Sequence, residues 1–142
     1  MDASLGPYNL EHTQAVKGIA FKESNLFWTE EKPDHEALAV LENYEGINLI
    51  EKVTTYFVNK GNAHNNPIMG TYNPKTETHQ RLIFFQANNR ADKVYATAVF
   101  SGGAKKDIPK DTELCNYLAT QIGKRIQKKL GKLYLYYAPF AD

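Results

Sequence analysis

Three β-compatible segments follow one another with very short connections, and this spacing constrains the fold more than any other feature. Their sequences are IMGTYN, QRLIFFQA and KVYATAVFS, and they are punctuated by PKTET and NNRAD. A crossover between parallel neighbours needs about a dozen residues or more, whereas antiparallel neighbours need only a tight turn. We therefore expect these three strands to form an antiparallel meander.

Two other segments carry the end signals and the periodicity of helices. In PDHEALAVLENYEG, Asp34 can accept hydrogen bonds from first-turn amides, and Gly46 can adopt the left-handed conformation that ends a helix. The second helix takes Asp111 or Thr112 as its N-cap. Its residues at helical spacing form an apolar stripe, namely Leu114, Cys115, Leu118, Ala119, Ile122, Ile126 and Leu130.

The remaining β-compatible stretches add strands to the meander. QAVKGIAFKESNLFWTE indicates an opening hairpin that turns at KESN. INLIEKVTTYFV is rich in β-branched and aromatic residues, which favours a strand at this length. KLYLYYA begins a further strand directly after Gly131, which is expected to stop the second helix.

Together these elements predict a single α+β domain over residues 1–142. We expect a mainly antiparallel sheet of about five to seven strands with two helices packed largely on one face, similar in outline to longin and profilin folds. The composition of 42 % apolar residues and a net charge of +1 is typical of ordered, soluble domains. No apolar run approaches the length of a membrane span, and the single cysteine excludes an intrachain disulfide, so we expect a location in the cytosol or nucleus.

Motifs for metals, nucleotides and nucleophilic catalysis are incomplete. The helix start at His35 resembles that of a zinc protease, but Ala39 stands where the second histidine ligand would be. The segment SGGAKKDIPKD lacks the Gly-Lys-Ser/Thr ending of a phosphate-binding loop and is interrupted by Pro109. Cys115 lies in an apolar stripe, which favours a buried, inert thiol. We expect no metal, no cofactor and no enzymatic activity.

The aromatic strand after the second helix offers a surface for another protein. Side chains alternate along a strand, so Leu133, Leu135 and Tyr137 share one face. Tyr134 and Tyr136 point to the other face. Tyrosines are enriched in interface cores, and a terminal strand is often a sheet edge that is open to pairing. With the cations of the preceding helix, the predicted contact residues are Tyr134, Tyr136, Tyr137, Phe140, Lys124, Lys128 and Lys132.

Two other classes of function stay open. The basic residues near the end of the second helix can complement the negative helix end, contact an acidic protein partner or bind nucleic-acid phosphates. No ribonucleoprotein-type aromatic motif accompanies them, so a protein partner, in a dimer or hetero-complex, is favoured over nucleic acid. A small enzyme whose site is assembled from His64, His79 and Tyr72 is the remaining alternative.

Residues 112–140, TELCNYLATQIGKRIQKKLGKLYLYYAPF, resemble the corresponding segment of proteasome assembly chaperone 4 proteins. The shared features are a helix with Leu-Ala near its middle, basic residues towards its end, and an aromatic-rich strand followed by a turn residue. The resemblance implies a small, non-enzymatic α/β protein that forms a heterodimer with a second chaperone of similar fold. It also implies a role in assembling the α-ring of the 20S proteasome in the eukaryotic cytosol or nucleus.

Overall fold

The structure, a computed structural model, describes residues 13–16, 18–60, 68–71 and 80–141. Within these residues the α-helices are α1 (Glu36–Glu42), α2 (Leu49–Lys60) and α3 (Ile108–Ile126). The strands are β1 (Thr13–Val16), β2 (Ile19–Asn25), β3 (Ile68–Met69), β4 (Leu82–Arg90), β5 (Lys93–Phe100), β6 (Gly103–Ala104), β7 (Lys129–Tyr137) and β8 (Phe140–Ala141). A 3₁₀ turn, Lys105–Asp107, leads directly into α3.

Six of these strands form one mixed sheet in the order β1-β2-β7-β5-β4-β3, and β6 pairs with β8 separately. The α+β class and the meander of β3, β4 and β5 are confirmed. The pairing of β5 with β7 is parallel, however, because the 19 residues of α3 supply the crossover that parallel neighbours need. β7 lies between β2 and β5, so the expectation that it forms a sheet edge is wrong.

The helices cover one face of the long strands. α3 packs against β5 and β7, and α2 packs against α3. The buried side chains of these strands include Ala96, Ala98, Phe100, Leu133, Leu135 and Tyr137, and those of α3 include Leu114, Cys115, Leu118, Ala119 and Ile122. Removing this apolar surface from water is the main driving force for folding. No helix in the described part of the chain is long and apolar enough to cross a membrane.

The segment predicted as a strand from its β-branched residues forms the helix α2. Ile50, Val53, Thr54 and Phe57 are buried, and their spacing is that of one helical face. The hydroxyl of Thr54 donates to the carbonyl of Ile50 at 2.6 Å, which satisfies its hydrogen bond within the helix. Packing of this face against α3 therefore outweighs the strand preference of β-branched residues.

The predicted opening hairpin is wrong in its pairing, because a hairpin forms earlier in the chain, within the stretch expected to be its first strand. β1 and β2 pair antiparallel around Gly18, whose φ of +82° suits glycine. The stretch predicted as the turn belongs to β2, and the segment after β2 forms no strand. Instead, the amide of Phe27 donates to Oδ1 of Asn116 at 2.6 Å. The amide of Thr29 donates to Oγ1 of Thr120 at 3.0 Å, so this segment is tied to α3.

Both helix starts differ from the predictions in a way that matters for the site. α1 is capped by His35 rather than Asp34, because the Nδ1 atom of His35 accepts a hydrogen bond from the amide of Ala37 at 3.2 Å. α3 begins earlier than predicted, with Asp107 in the N-cap position. Asp111 therefore lies within the helix and is fully buried, instead of capping it.

The end of α3 also lies earlier than predicted. The helix stops at Ile126 because Gln127 adopts the left-handed conformation, with φ 57° and ψ 48°. Gly131, predicted to stop the helix, lies in β7 instead. A Cβ atom at Gly131 would be 3.0 Å from the ring of Tyr95, so the glycine allows this ring to lie against the strand.

Candidate functional site

The face of the sheet opposite the helices is the main candidate for a binding surface. Strand register places Phe21 opposite Tyr136 and Glu23 opposite Tyr134 on this side. We call this surface the open face, and its described members include Ile19, Phe21, Glu23, Phe84, Tyr95, Thr97, Val99, Tyr134 and Tyr136. All of these side chains except that of Glu23 are at least partly exposed, because the described helices lie on the opposite side.

Three aromatic rings form the centre of the open face. The rings of Phe21 and Tyr136 are 4.8 Å apart between centroids and tilted by 45°. The rings of Phe21 and Tyr134 are 6.4 Å apart and nearly parallel. Such pairs stabilise each other while leaving ring surface for a partner. Tyr136 keeps 38 % of its surface exposed.

The hydroxyl groups of the two tyrosines stay protonated well above neutral pH. Partial burial raises the pKa of Tyr134 and of Tyr136, and the negative charge of Glu23 raises both further. Each hydroxyl is therefore available both to donate and to accept a hydrogen bond. A surface that combines apolar rings with such hydroxyls has the composition of an interface core.

Glu23 is the exception on the open face, because it is only 4 % exposed. Its carboxylate oxygens are not among the described buried side-chain atoms that lack a hydrogen-bond partner. Buried carboxylates are normally paired, since an unpaired one loses the solvation that water would give it. The only sequence signal for this residue is its spacing from Phe21, which places both on one face of a strand.

Two of the predicted contact residues do not belong to the open face. Tyr137 is fully buried on the helix-covered side, and Phe140 is only 7 % exposed. Their rings pack together with a centroid separation of 5.6 Å. The prediction that they contact a partner is therefore corrected: Tyr137 follows the alternation of β7 inward, and Phe140 follows the turn after it into the core.

The three predicted lysines are held in different places. Lys124 pairs with Glu30 at 3.2 Å, and Lys128 donates to the carbonyl of Ala91. Lys132 lies on β7 and donates to Oδ1 of Asn25 at 3.0 Å. Because α3 ends before Lys128, the lysines share no helical face, and each has an acceptor within the protein.

A buried polar cluster lies on the helix-covered side, centred on Asp111. Its Oδ1 atom accepts from Nε2 of His35 at 2.8 Å and from Nη2 of Arg81 at 2.8 Å. Its Oδ2 atom accepts from the hydroxyl of Tyr137 at 2.9 Å and from Nη1 of Arg81 at 3.2 Å. Because Nδ1 of His35 accepts the helix-cap hydrogen bond, its ring proton resides on Nε2.

The electrostatics of this cluster favour a charged Asp111. Burial raises the pKa of Asp111, but the hydrogen bonds from His35, Arg81 and Tyr137 outweigh burial and bring it below its ordinary value of 3.8. The hydrogen bond to Asp111 raises the pKa of Arg81. Burial and the charge of Asp111 raise the pKa of Tyr137, which therefore remains a donor.

The buried polar cluster has the geometry of a structural link between elements. Asp111 is fully buried, and both of its oxygens already accept two hydrogen bonds. A general base must instead reach a proton on a substrate. The cluster connects α1, α3, β7 and the residue before β4, and its neighbour Cys115 is buried with a pKa well above its ordinary value. The predicted burial of this thiol is thus confirmed.

Other candidate sites are weaker. A cavity of about 400 Å³ is lined by Phe27, Thr29, Glu31, Lys32, Pro33, Asp34 and Glu113, none of which belongs to the buried polar cluster. Among the described residues, no group of three or more histidine, cysteine or acidic side chains is arranged to hold a metal ion. His64, His79 and Tyr72, the candidates for an assembled enzyme site, lie outside the described residues.

Comparison with known proteins identifies a fold and no family. No family model matches the chain, and no curated protein matches it. Among solved structures, the chain is similar to the crystal structure of thymidylate synthase from T4 phage, with a TM-score of 0.61 and 16 % sequence identity. The match covers 70 % of this chain and 36 % of that chain, so it spans about a third of the enzyme. At this identity the likeness concerns the fold alone.

Proposed function

We propose that this protein acts by binding another protein through the open face, without catalysis of its own. The observation that carries the proposal is the cluster of Phe21, Tyr134 and Tyr136, which is partly exposed on a sheet face that the described helices leave free. Exposed aromatic patches on a flat surface are characteristic of protein interfaces, where tyrosine and tryptophan contribute most of the binding energy.

A more specific role rests on the resemblance of residues 112–140 to proteasome assembly chaperone 4 proteins. In that role the chain forms a heterodimer with a chaperone of similar fold and helps to assemble the 20S proteasome in the cytosol or nucleus. This role stays a prediction from sequence. The open face gives it a physical basis, because a second sheet can stack on an uncovered sheet face at a separation of about 10 Å.

The proposed contact surface differs from the set predicted from sequence. It keeps Tyr134, Tyr136 and Lys132, the last lying on the same side of β7 as the two tyrosines. It gains Phe21 from β2 and further side chains from β4 and β5. Lys124 and Lys128 are left out because they lie at the end of α3, away from the rings.

The test is a binding measurement with matched aromatic variants. The chain, immobilised, captures partners from a native extract, and a partner identified by mass spectrometry is then purified and titrated. The double variant Tyr134→Ala, Tyr136→Ala is expected to bind at least about tenfold more weakly, as expected for interface aromatics. Tyr56→Ala is the control, since Tyr56 on α2 is as exposed as Tyr136, at 38 % each.

Two outcomes would contradict the proposal. One is equal binding by the double variant and the wild type, provided that circular dichroism shows both folded. The other is binding to nucleic acid instead of protein, which would be recognised by an affinity that falls steeply with added salt.

A further inference from the structure

The starting observation is Phe27, which is 56 % exposed and borders two cavities at once. Each cavity has a volume of about 400 Å³, and among the described residues Phe27 alone lines both. Its neighbour Trp28 is 49 % exposed. Exposed apolar surface that is rimmed by polar residues marks binding sites on soluble proteins. We call these two spaces the acidic cavity and the basic cavity, from the charges described below.

The backbone at Phe27 is held in place by α3. Its amide donates to Oδ1 of Asn116 at 2.6 Å, and Nδ2 of Asn116 donates to the carbonyl of Thr112 at 2.9 Å. Asn116 is fully buried, so this link is shielded from water. A segment that is already ordered lowers the entropic cost that binding a ligand carries. Phe27 is therefore presented to a ligand from a fixed position.

The acidic cavity favours a positive ligand. Carboxylates outnumber cations among its charged lining residues, which are Glu31, Lys32, Asp34 and Glu113. The ammonium group of Lys32 donates to Glu42 at 2.7 Å, and Glu42 does not line the cavity. A basic group of a ligand can pair with the carboxylates and lie against the ring of Phe27, since aromatic faces attract ammonium and guanidinium groups.

The basic cavity has the opposite character. None of its described lining residues is acidic, and they are Lys22, Ser24, Asn25, Phe27 and Thr112. The Oγ atom of Ser24 is buried and has no hydrogen-bond partner within the described residues. A buried hydroxyl is unfavourable until a ligand or water pairs with it. Oδ1 of Asn25 accepts from Lys132 at 3.0 Å, so Asn25 offers its N–H groups to a ligand. An ammonium group beside hydroxyl and amide donors suits a carboxylate.

We infer that the two cavities bind the C-terminal residue of a peptide that ends in arginine or lysine. The basic side chain occupies the acidic cavity, the terminal carboxylate occupies the basic cavity, and the methylene groups between them cross Phe27. Capture of a C-terminal carboxylate is a recurring mode of peptide recognition. Two cavities of this size exceed one free amino acid, so the residues before the last one also find room.

This site is separate from the open face. Lys22 lies across from Leu135, on the side of the sheet that the helices cover, and Thr112 and Glu113 belong to α3. The inference therefore does not depend on the proposed function, and variants of the open face leave it untouched.

The first test compares peptides that differ in one charge. The probe is acetyl-Gly-Ala-Arg with a free carboxylate, and its comparisons are the C-terminally amidated peptide and acetyl-Gly-Ala-citrulline with a free carboxylate. Fluorescence of Trp28, the single tryptophan of the chain, and titration calorimetry report binding. We expect saturable binding of the probe and at least about tenfold weaker binding of each comparison, as expected for loss of a charge-assisted pair.

Three outcomes of this test would overturn the inference. They are no binding of the probe at millimolar concentration, equal binding of the probe and either comparison, and binding of free arginine as tight as that of the probe. The last outcome would assign the site to a small molecule instead of a peptide.

The second test removes one charge from each cavity. Glu113→Gln should reduce the preference for arginine over citrulline, and Lys22→Gln should reduce the preference for the free carboxylate over the amide, each about tenfold. Asp92→Asn and Lys106→Gln are the matched controls, since both remove exposed charges that line neither cavity. Circular dichroism checks that all four variants are folded. Unchanged preferences in Glu113→Gln and Lys22→Gln, or equal changes in the controls, would contradict the inference.

Discussion

The two faces of the sheet treat polar groups in opposite ways, although β7 contributes to both. On the helix-covered side, Asp111 is buried and accepts four hydrogen bonds. On the open face, Tyr134 and Tyr136 carry their hydroxyl groups on side chains that stay partly exposed. The first arrangement is complete within the chain, so it serves stability. The second leaves polar groups accessible beside apolar rings, which is the composition expected of a binding surface.

Substitutions on each face of the sheet test this difference. The largest effect is expected for Asp111→Asn, because an amide cannot accept all four hydrogen bonds and removes the buried half of the ion pair with Arg81. We expect a loss of about 4 kcal/mol in the free energy of unfolding, measured by urea denaturation. Glu113→Gln on the same helix is exposed and should change stability by less than about 0.5 kcal/mol. Similar losses in both variants would show that Asp111 has no special role.

Acid should reproduce the effect of that substitution reversibly. The pKa of Asp111 in the folded protein lies below its ordinary value of 3.8. Its contribution to stability is therefore fully present above this value and is lost as the pH falls through the lower folded pKa. We expect the free energy of unfolding to decrease below about pH 4, and to decrease less steeply in Asp111→Asn. Parallel pH profiles for the two proteins would contradict this.

Adjacent residues of β7 give a direct comparison of the faces. Leu135 is fully buried, whereas Tyr136 is 38 % exposed. We expect Leu135→Ala to cost about 3 kcal/mol through the cavity it leaves. Tyr136→Ala should cost about 1 kcal/mol or less in stability while weakening partner binding. Chemical denaturation of both variants tests the stability part, and equal losses would mean that the open face belongs to the core.

The tyrosine hydroxyls provide a finer comparison. Tyr137→Phe removes a buried hydrogen bond to Asp111 and should cost about 1.5 kcal/mol. Tyr136→Phe removes a hydroxyl on the open face and should change stability by less than about 0.5 kcal/mol. Both variants keep the ring, so differences in denaturation midpoint report the hydroxyls alone. Unchanged stability of Tyr137→Phe would show that the hydrogen bonds from the other donors are sufficient to stabilise Asp111.

A small effect is also expected at Gly131. A methyl group there would meet the ring of Tyr95 at 3.0 Å. We expect Gly131→Ala to cost about 1 kcal/mol, because the exposed side of the sheet lets the ring move away. Changes in the NMR signals of Tyr95 should accompany the loss. A variant with unchanged stability and unchanged Tyr95 signals would mean that the ring does not rest on this glycine.

Local patterns predicted the strands β4, β5 and β7 well, because alternation with a period of two depends only on neighbouring residues. The separation of Leu135 from Tyr136 follows from this alternation. The same local patterns could not give the place of β7 in the sheet, since pairing with β2 and β5 is set by contacts far apart in the sequence. For α2, the β-branched composition favours a strand, whereas the helical spacing of Ile50, Val53 and Phe57 is the signal that the structure follows.

The candidate site was only partly predictable. Tyr134 and Tyr136 were identified from their strand, and the open face confirms their exposure but not their function. Asp111 was interpreted as a helix cap, although its spacing to Leu114, Cys115 and Leu118 places it on the buried stripe. A carboxylate on an apolar stripe is a signal of a buried polar cluster, but its donors come from distant segments that sequence does not bring together.

The central position of β7 has a consequence for biosynthesis. Strand β7 joins two parts of the sheet, the hairpin β1-β2 and the meander β3-β4-β5. These two parts have no hydrogen bonds between their strands until β7 pairs with both. A ribosome releases β7 after all of those strands, so the nascent chain must hold two unjoined halves with open edges while α3 is still being made. Such edges are prone to wrong pairing, and binding of chaperones to the nascent chain in this interval would protect them. Pausing of translation after β5 should therefore increase aggregation of the newly made protein.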